Sequence, residues 1–241
     1  MENRLAVIIG GTGGIGGEIA GAYRQAGARV VIAGRRATPD TAGPAVTAAY
    51  ALDARRPEEL QDLAGRVRAE HGPVDVLVNC QGTTEIKPAL DVTEEEYDRV
   101  LDTNLKSVFF ACAAFAPGMI EAEGGAMINI ASLAAHTGWA RAAAYSASKW
   151  GVVGLTQTFA AEWGASGVRV NAIAPGFFLT DLNRERMPQE RKEEAARRCA
   201  MGRMGRLQEL VGAAIFLASD AAAFVNGATL RVDGGYLASG I

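Results

Sequence analysis

Wholly apolar runs alternate along this chain with amphipathic stretches, the pattern of a parallel sheet covered by helices on both faces. Leu5-Ala-Val-Ile-Ile9 has no polar position, as a strand buried on both sides requires. It runs into Gly10-Gly-Thr-Gly-Gly14-Ile-Gly16, after which 18–24 predicts an amphipathic helix. Arg29-Val-Val-Ile-Ala33 predicts a second strand, 47–52 a third and 74–79 a fourth. The crossover between the second and third is short, and Pro39, Gly43 and Pro44 oppose a regular helix in it. A loop with at most one short turn from Thr38-Pro39 is expected there. Leu60, Leu63, Ala64 and Val67 fall on one face of a helix over Pro57–His71.

Thr93, three residues before Glu96, makes a capping box that starts a long helix. That helix is expected to run through Asn104 into the apolar stretch 108–115. A fifth strand at 126–131 delivers Ser132, and a helix ending near Trp163 carries Tyr145 and Lys149. A sixth strand, 169–174, is broken by Pro175-Gly176, and a helix at 207–218 precedes a seventh strand from Thr229 to the glycine turn Asp233-Gly-Gly235. The charged stretch within 178–206 predicts a lid over substrate. With no repeat and no linker, 1–241 reads as a single α/β domain of doubly wound Rossmann type.

Composition narrows the possibilities. A length of 241 residues suits one large domain, and a formal net charge of -3 argues against a general nucleic-acid binder. No apolar run reaches the length of a membrane span, and no signal peptide is expected from the first residues, whose apolar run is short and ends in a glycine turn. Cys80, Cys112 and Cys199 are widely spaced without a C-x-x-C, which predicts reduced thiols and a cytoplasmic location. With only His71 and His136, no metal site is expected.

Candidate chemistry starts at the first turn. Gly10, Thr12, Gly13, Gly14, Ile15 and Gly16 lie between a strand and a helix, where backbone N–H groups can cradle a pyrophosphate. The Gly10-to-Gly14 spacing differs from G-x-G-x-x-G. The second strand ends in Gly34-Arg35-Arg36 where an acid would select NAD. Two guanidiniums favour a 2′-phosphate, so NADP(H) is expected, with Arg35 the main contact and Arg36 in support. Asp53, after the third strand, could accept from the adenine amino group. Tyr145 and Lys149 are four apart, hence on one helix face. An ammonium ~4 Å from the phenol would favour phenolate by roughly 4 kcal/mol, about 3 pK units. Asn104 inside an apolar run is either a satisfied structural group or a bend that holds a water.

Taken in order, the glycine turn, Asn79-Cys-Gln-Gly82, Asn104, Ser132, Tyr145-x-x-x-Lys149, Pro175-Gly176 and Asp233-Gly-Gly235 resemble the short-chain dehydrogenase/reductase family over essentially the whole chain. The resemblance implies a seven-stranded parallel sheet of order 3-2-1-4-5-6-7. It implies a homotetramer built through helices after the fourth and fifth strands and near the C-terminus. It also implies catalysis by Asn104, Ser132, Tyr145 and Lys149, with Asn104 fixing a water that links the lysine to solvent. Tyr145, Lys149, Asn79, Gly82, Pro175, Gly176 and Thr180 would also border the cofactor. Three departures stand out. Ile9 replaces the usual threonine before Gly10, Asn79-Cys-Gln-Gly82 replaces Asn-Asn-Ala-Gly, and the second crossover is short.

The closing segment resembles gluconate and keto-sugar dehydrogenases, and also 3-oxoacyl-[acyl carrier protein] reductases. Those carrier-protein reductases are basic before the fifth and sixth strands, where this chain has Glu121-Ala-Glu123 and Ala165-Ser166-Gly167. An acidic carrier would be repelled. A small anionic or polyhydroxylated ketone fits better, with Arg141, Arg184, Arg186, Arg197, Arg198 and Arg203 nearby. His136, Trp139, Arg141, Phe177 and Phe178 are the candidate pocket lining. The alternatives are a 3-oxoacyl-thioester reductase and a catalytically silent NADP-binding sensor.

Overall fold

The computed structural model describes residues 1–42, 46–180 and 187–239. In chain order they form β1 (Leu5–Ile9), α1 (Gly14–Gln25), β2 (Arg29–Ala33), α2 (Pro39–Ala42), β3 (Ala48–Tyr50), α3 (Pro57–His71) and β4 (Val76–Asn79). There follow α4 (Glu94–Leu101), α5 (Ser107–Glu121), β5 (Gly125–Ile130), α6 (Ala143–Trp163), β6 (Val168–Pro175) and β7 (Phe178–Leu179). The last elements are α7 (Gln189–Arg198), β8 (Gly205–Arg206), α8 (Gln208–Ala218) and β9 (Thr229–Val232). The main sheet is parallel throughout, in the order β3-β2-β1-β4-β5-β6-β9. This is the expected order, with β9 as the seventh strand.

Strand alternation divides the core in two. Leu5, Val7 and Ile9 of β1 pack with Leu77, Phe115, Met119 and Phe159 on the face covered by α3, α5 and α6. Ala6 and Ile8 point the other way, to Ile19 and Tyr23 of α1 and Leu210 and Leu217 of α8. A Cβ on Gly16 would lie 2.3 Å from the Gly10 carbonyl oxygen, so α1 can approach β1 this closely only with glycine there.

Two stretches carry the lessons of the connections. The second crossover has a single turn of helix, α2, as its proline content predicts; Gly43 and Pro44 lie outside the described residues. The long helix expected after Thr93 is present but interrupted. Its capping box forms, with Thr93 Oγ1 accepting from the Glu96 N–H and Glu96 Oε2 from the Thr93 N–H. Then Asp102–Lys106 widens into a π-turn, in which the Ser107 N–H reaches five residues back to the Asp102 carbonyl. Glu94–Glu121, taken as one 28-residue helix, contains an 18-residue stretch of mean hydropathy 1.2, apolar enough to cross a membrane. It packs against α3 and α6 and opens with three glutamates, as a core helix does. Of the lid, β7, α7 and β8 are described, while 181–186 lie outside the described residues.

Candidate active site

The phosphate cradle is made of backbone. Gly10 and Gly14 have φ of +82° and +53°, values that favour glycine. A Cβ on Gly10 would come within 2.8 Å of the Cys80 and Gln81 backbone, whereas one on Gly13 or Gly14 would meet nothing within 4 Å. The start of α1 at Gly13 and Gly14 thus faces open space. It holds no acidic residue, and its N-cap, Gly13, has no side chain to occupy the free N–H groups. Those are the conditions for an anion at a helix N-terminus. Arg24, not foreseen from the sequence, borders the same cleft with Gly11, Thr12 and Val46.

The adenosine end differs from expectation. Arg35 and Arg36 follow β2 and are exposed. Asp53 is already engaged, because Arg55 Nε donates to both its carboxylate oxygens at 3.0 Å. That ion pair holds the carboxyl at about 2, with Arg35 adding a weaker pull. An adenine amino group would have to share the carboxylate with Arg55, a competitor two residues away. Asn79 is a further correction. Its side chain points into the interior, donating to Asn129 Oδ1 at 2.9 Å and to Cys112 Sγ, so it braces β4 against β5 and does not border the cleft. Gly82 does border the site: a Cβ there would stand 3.5 Å from Asn104 Oδ1 and 3.8 Å from Lys149 Nζ. Pro175 ends β6, and Gly176 passes so near β9 that a Cβ would lie 2.7 Å from Asp233 Cα. Thr180 follows β7, its N–H bonded to the Phe178 carbonyl.

The groups expected to react converge at the carboxyl edge of β5. Ser132 leaves that strand in extended conformation, its Oγ accepting from the Ala134 N–H at 3.1 Å. Its hydroxyl also hydrogen-bonds Tyr145. Lys149, buried one helical turn on, donates to the Ile130 carbonyl at 2.7 Å and lies 5.9 Å from the Tyr145 ring centroid. Burial opposes the expected acidification of the phenol. Burial holds Tyr145 above its ordinary value, with the Ser132 bond pulling it partly back. Burial also brings Lys149 down to about 8. Both effects have one cause, since low dielectric disfavours phenolate and ammonium alike. Asn104 sits in the π-turn with both ends of its amide in use. Its Oδ1 accepts from the Thr83 N–H at 2.7 Å, and its Nδ2 donates to the Thr83 carbonyl at 2.9 Å and to Ser148 Oγ at 3.0 Å. Asn104 is therefore a satisfied structural group, the first of the two alternatives raised by its sequence context, and it sits where the helix departs from its regular ladder.

A row of rings leads away from the phenol. Trp139 stacks 6.4 Å from Tyr145, Phe177 lies 5.3 Å from Trp139 at 14° between planes, and Tyr236 lies 5.3 Å from Phe177. Arg198, at the end of α7, places its guanidinium 4.9 Å from the Tyr236 ring. Tyr236 was missed in the sequence, although an aromatic just past a glycine turn at the carboxyl end of a strand lies where ligands bind. Of the other candidates, His136 makes its ring contact with Trp150, and burial lowers its imidazole below the usual range. Arg141 is exposed at φ +67°, and its carbonyl accepts from the Lys87 N–H. Phe178 is a correction: it is core, packed so tightly on Gly205 that a Cβ there would lie 2.6 Å from its ring. Several expected cations are already paired, Arg197 with Glu194 and Arg203 with Glu209. Arg184 and Arg186 lie outside the described residues. Among the described residues, no group of three or more His, Cys, Asp or Glu could hold a metal.

Such a site, on a sheet wound in this order, defines the class: an oxidoreductase that works on a bound dinucleotide. Residues 10–237 match the family model described as enoyl-(acyl carrier protein) reductase. D-threitol dehydrogenase of Mycolicibacterium smegmatis is 39% identical over 243 residues, covering 98% of this chain and 94% of that protein. 2-Dehydro-3-deoxy-D-gluconate 5-dehydrogenase of Escherichia coli is 38% identical over 246 residues, covering 99% and 97%. The solved structure of a gluconate 5-dehydrogenase from Burkholderia cenocepacia in complex with NADP and tartrate is similar with a TM-score of 0.93. At 33% identity it covers 99% of this chain and 96% of its own. The chain belongs to the short-chain dehydrogenase/reductase family.

Proposed function

We propose that this protein interconverts a small polyhydroxylated ketone, a keto-sugar acid foremost, with its secondary alcohol, using NADP(H). The observation that carries the substrate class is the row of rings from Tyr145 through Trp139 and Phe177 to Tyr236. Flat apolar faces beside a polar reaction centre suit the C–H face of a short polyol. Arg141 has no ion-pair partner among the described residues and could meet a carboxylate. Gluconate and deoxygluconate dehydrogenases among the relatives fit this class.

The open glycine turn fits a pyrophosphate, and Arg35-Arg36 favours the 2′-phosphate of NADP(H). A bound nicotinamide supplies or accepts the hydride. Tyr145 donates its proton to the carbonyl oxygen as charge develops there, and Ser132 hydrogen-bonds the same oxygen. A phenol kept protonated by burial is in the right state for reduction. Lys149, held beside the ring by the Ile130 carbonyl, supplies the nearby charge that makes loss of that proton less costly.

A 3-oxoacyl thioester is the second reading, prompted by the matched family model. Glu121 and Glu123 at the end of α5 disfavour an acidic carrier protein. Exposed Phe109, Phe110 and Trp150 on α5 and α6, with Phe216 and Phe224 near the C-terminus, support a homotetramer. Three free thiols suit a cytoplasmic protein. The test is turnover with NADPH and with NADH on keto-sugar acids, neutral ketoses and acetoacetyl thioesters. Preference for NADPH and a keto-sugar acid is expected. A preference for NADH or for the thioester overturns the corresponding part, and inactivity on every ketone favours the silent sensor.

A further inference from the structure

Gln81 stands where the family's motif has alanine, and the reaction as written does not use it. Its side chain is buried. Nε2 donates to the Ser107 hydroxyl at 3.0 Å and, more weakly, to Asn79 Oδ1 at 3.4 Å, while Oε1 is buried with no partner among the described residues. A buried amide with one end unsatisfied is a poor choice for stability alone.

The partner it holds explains its presence. Ser107 is the first residue after the π-turn, and its hydroxyl donates to the Thr103 carbonyl at 2.6 Å. A π-turn departs from the regular helical ladder, and side-chain bonds to its carbonyls help decide whether it persists. Within it, Asn104 clamps the Thr83 backbone and reaches Ser148 Oγ, which in turn donates to the Tyr145 carbonyl at 2.7 Å. A continuous set of bonds and backbone thus joins Gln81 to the residue that gives up the proton. We propose that Gln81 is a positioning residue: its amide fixes the π-turn and so, through Asn104 and Ser148, sets where α6 holds Tyr145 and Lys149. The catalytic consequence rests on the ketone-reductase reading above.

Gln81→Ala restores the family's residue, so the fold should tolerate it, and Gln81→Met keeps the bulk without the amide. Hydrogen exchange with NADPH bound and no substrate reads the tether directly. Exchange over 102–107 and 145–149 should quicken about fivefold in both variants. With substrate, Gln81→Ala, Gln81→Met and Ser107→Ala should each lower kcat about tenfold, with KM within about twofold. The Gln81→Ala/Ser107→Ala double variant should fall no further than either single one. Unchanged exchange, wild-type kcat in Gln81→Met, or losses that multiply in the double variant would overturn the proposal. If the wild type reduces no ketone yet exchange quickens as expected, the tether stands and the proposed reaction fails instead.

Discussion

The half of the molecule before β4 and the half after it solve different problems with different materials. The described residues contain ten buried polar or charged side chains, and every one lies at or beyond Asn79. The first half buries apolar groups and glycine, with the buried phenol of Tyr23 bonded to the Ala214 carbonyl, and its cradle is presented by main-chain N–H groups and by φ angles. The second half runs on side chains, from Asn79 and Gln81 through Asn104, Ser132, Ser148 and Lys149 to Thr156. Gripping a phosphate needs only donors that every residue carries, in a geometry only glycine permits. Moving a proton needs particular functional groups, each with its hydrogen bonds satisfied out of water.

That contrast can be broken by experiment. Tyr145→Phe should lower kcat by about 10³-fold while NADPH affinity changes little, because a positioned general acid contributes on that scale. Titration calorimetry and steady-state rates check both parts. Lys149 gives the next largest effect. Its folded-state pKa of about 8 lies below the ordinary lysine value, so between pH 8 and pH 10 the unfolded chain binds a proton that the folded chain does not. Stability should therefore rise with pH across that window, by roughly 3 kcal/mol at most, and be flat below it for this group. Urea denaturation should show the rise as the difference between the wild type and Lys149→Met, because burial raises the Cys80 and Cys112 thiols and lowers stability over the same window in both.

In the first half, Gly16→Ala should cost about 2 kcal/mol and weaken NADPH, since the new methyl meets the Gly10 carbonyl rather than a side chain that can move. A variant with normal stability and affinity would refute the claim that this half depends on backbone approach. Arg35→Ala is expected to have the smallest effect. It should raise KM for NADPH about tenfold and leave NADH unchanged, the scale of one charge-assisted hydrogen bond.

The halves also differ in how much could be read from sequence. The strands of the main sheet were legible because apolar runs buried on both faces have no other use in a short stretch. The cradle was legible because glycines between strand and helix constrain backbone alone. Long-range partners were not. Nothing in the helical pattern of 94–121 marks the extra residue in the π-turn, and Asn104 was ambiguous until Thr83 and Ser148 were seen around it. Asp53 has a competitor for its expected partner in a neighbour two positions away, which spacing allows but does not require. For Tyr145 the nearby ammonium is legible from the four-residue spacing, but the burial it shares with the phenol is not. Tyr236 joined the site only through the packing of the C-terminal turn beside Phe177.

The π-turn also makes the length of its segment a counted quantity. Each residue advances a helix by about 100°. Removing one of 102–106 would let α4 run straight into α5 as a regular helix, because the widened turn already absorbs one extra residue. Val108, Cys112, Phe115 and Met119 would keep their places against the sheet. What would go is the break that seats Asn104 between Thr83 and Ser148, so a one-residue deletion here would spare the core and take away the brace of the site.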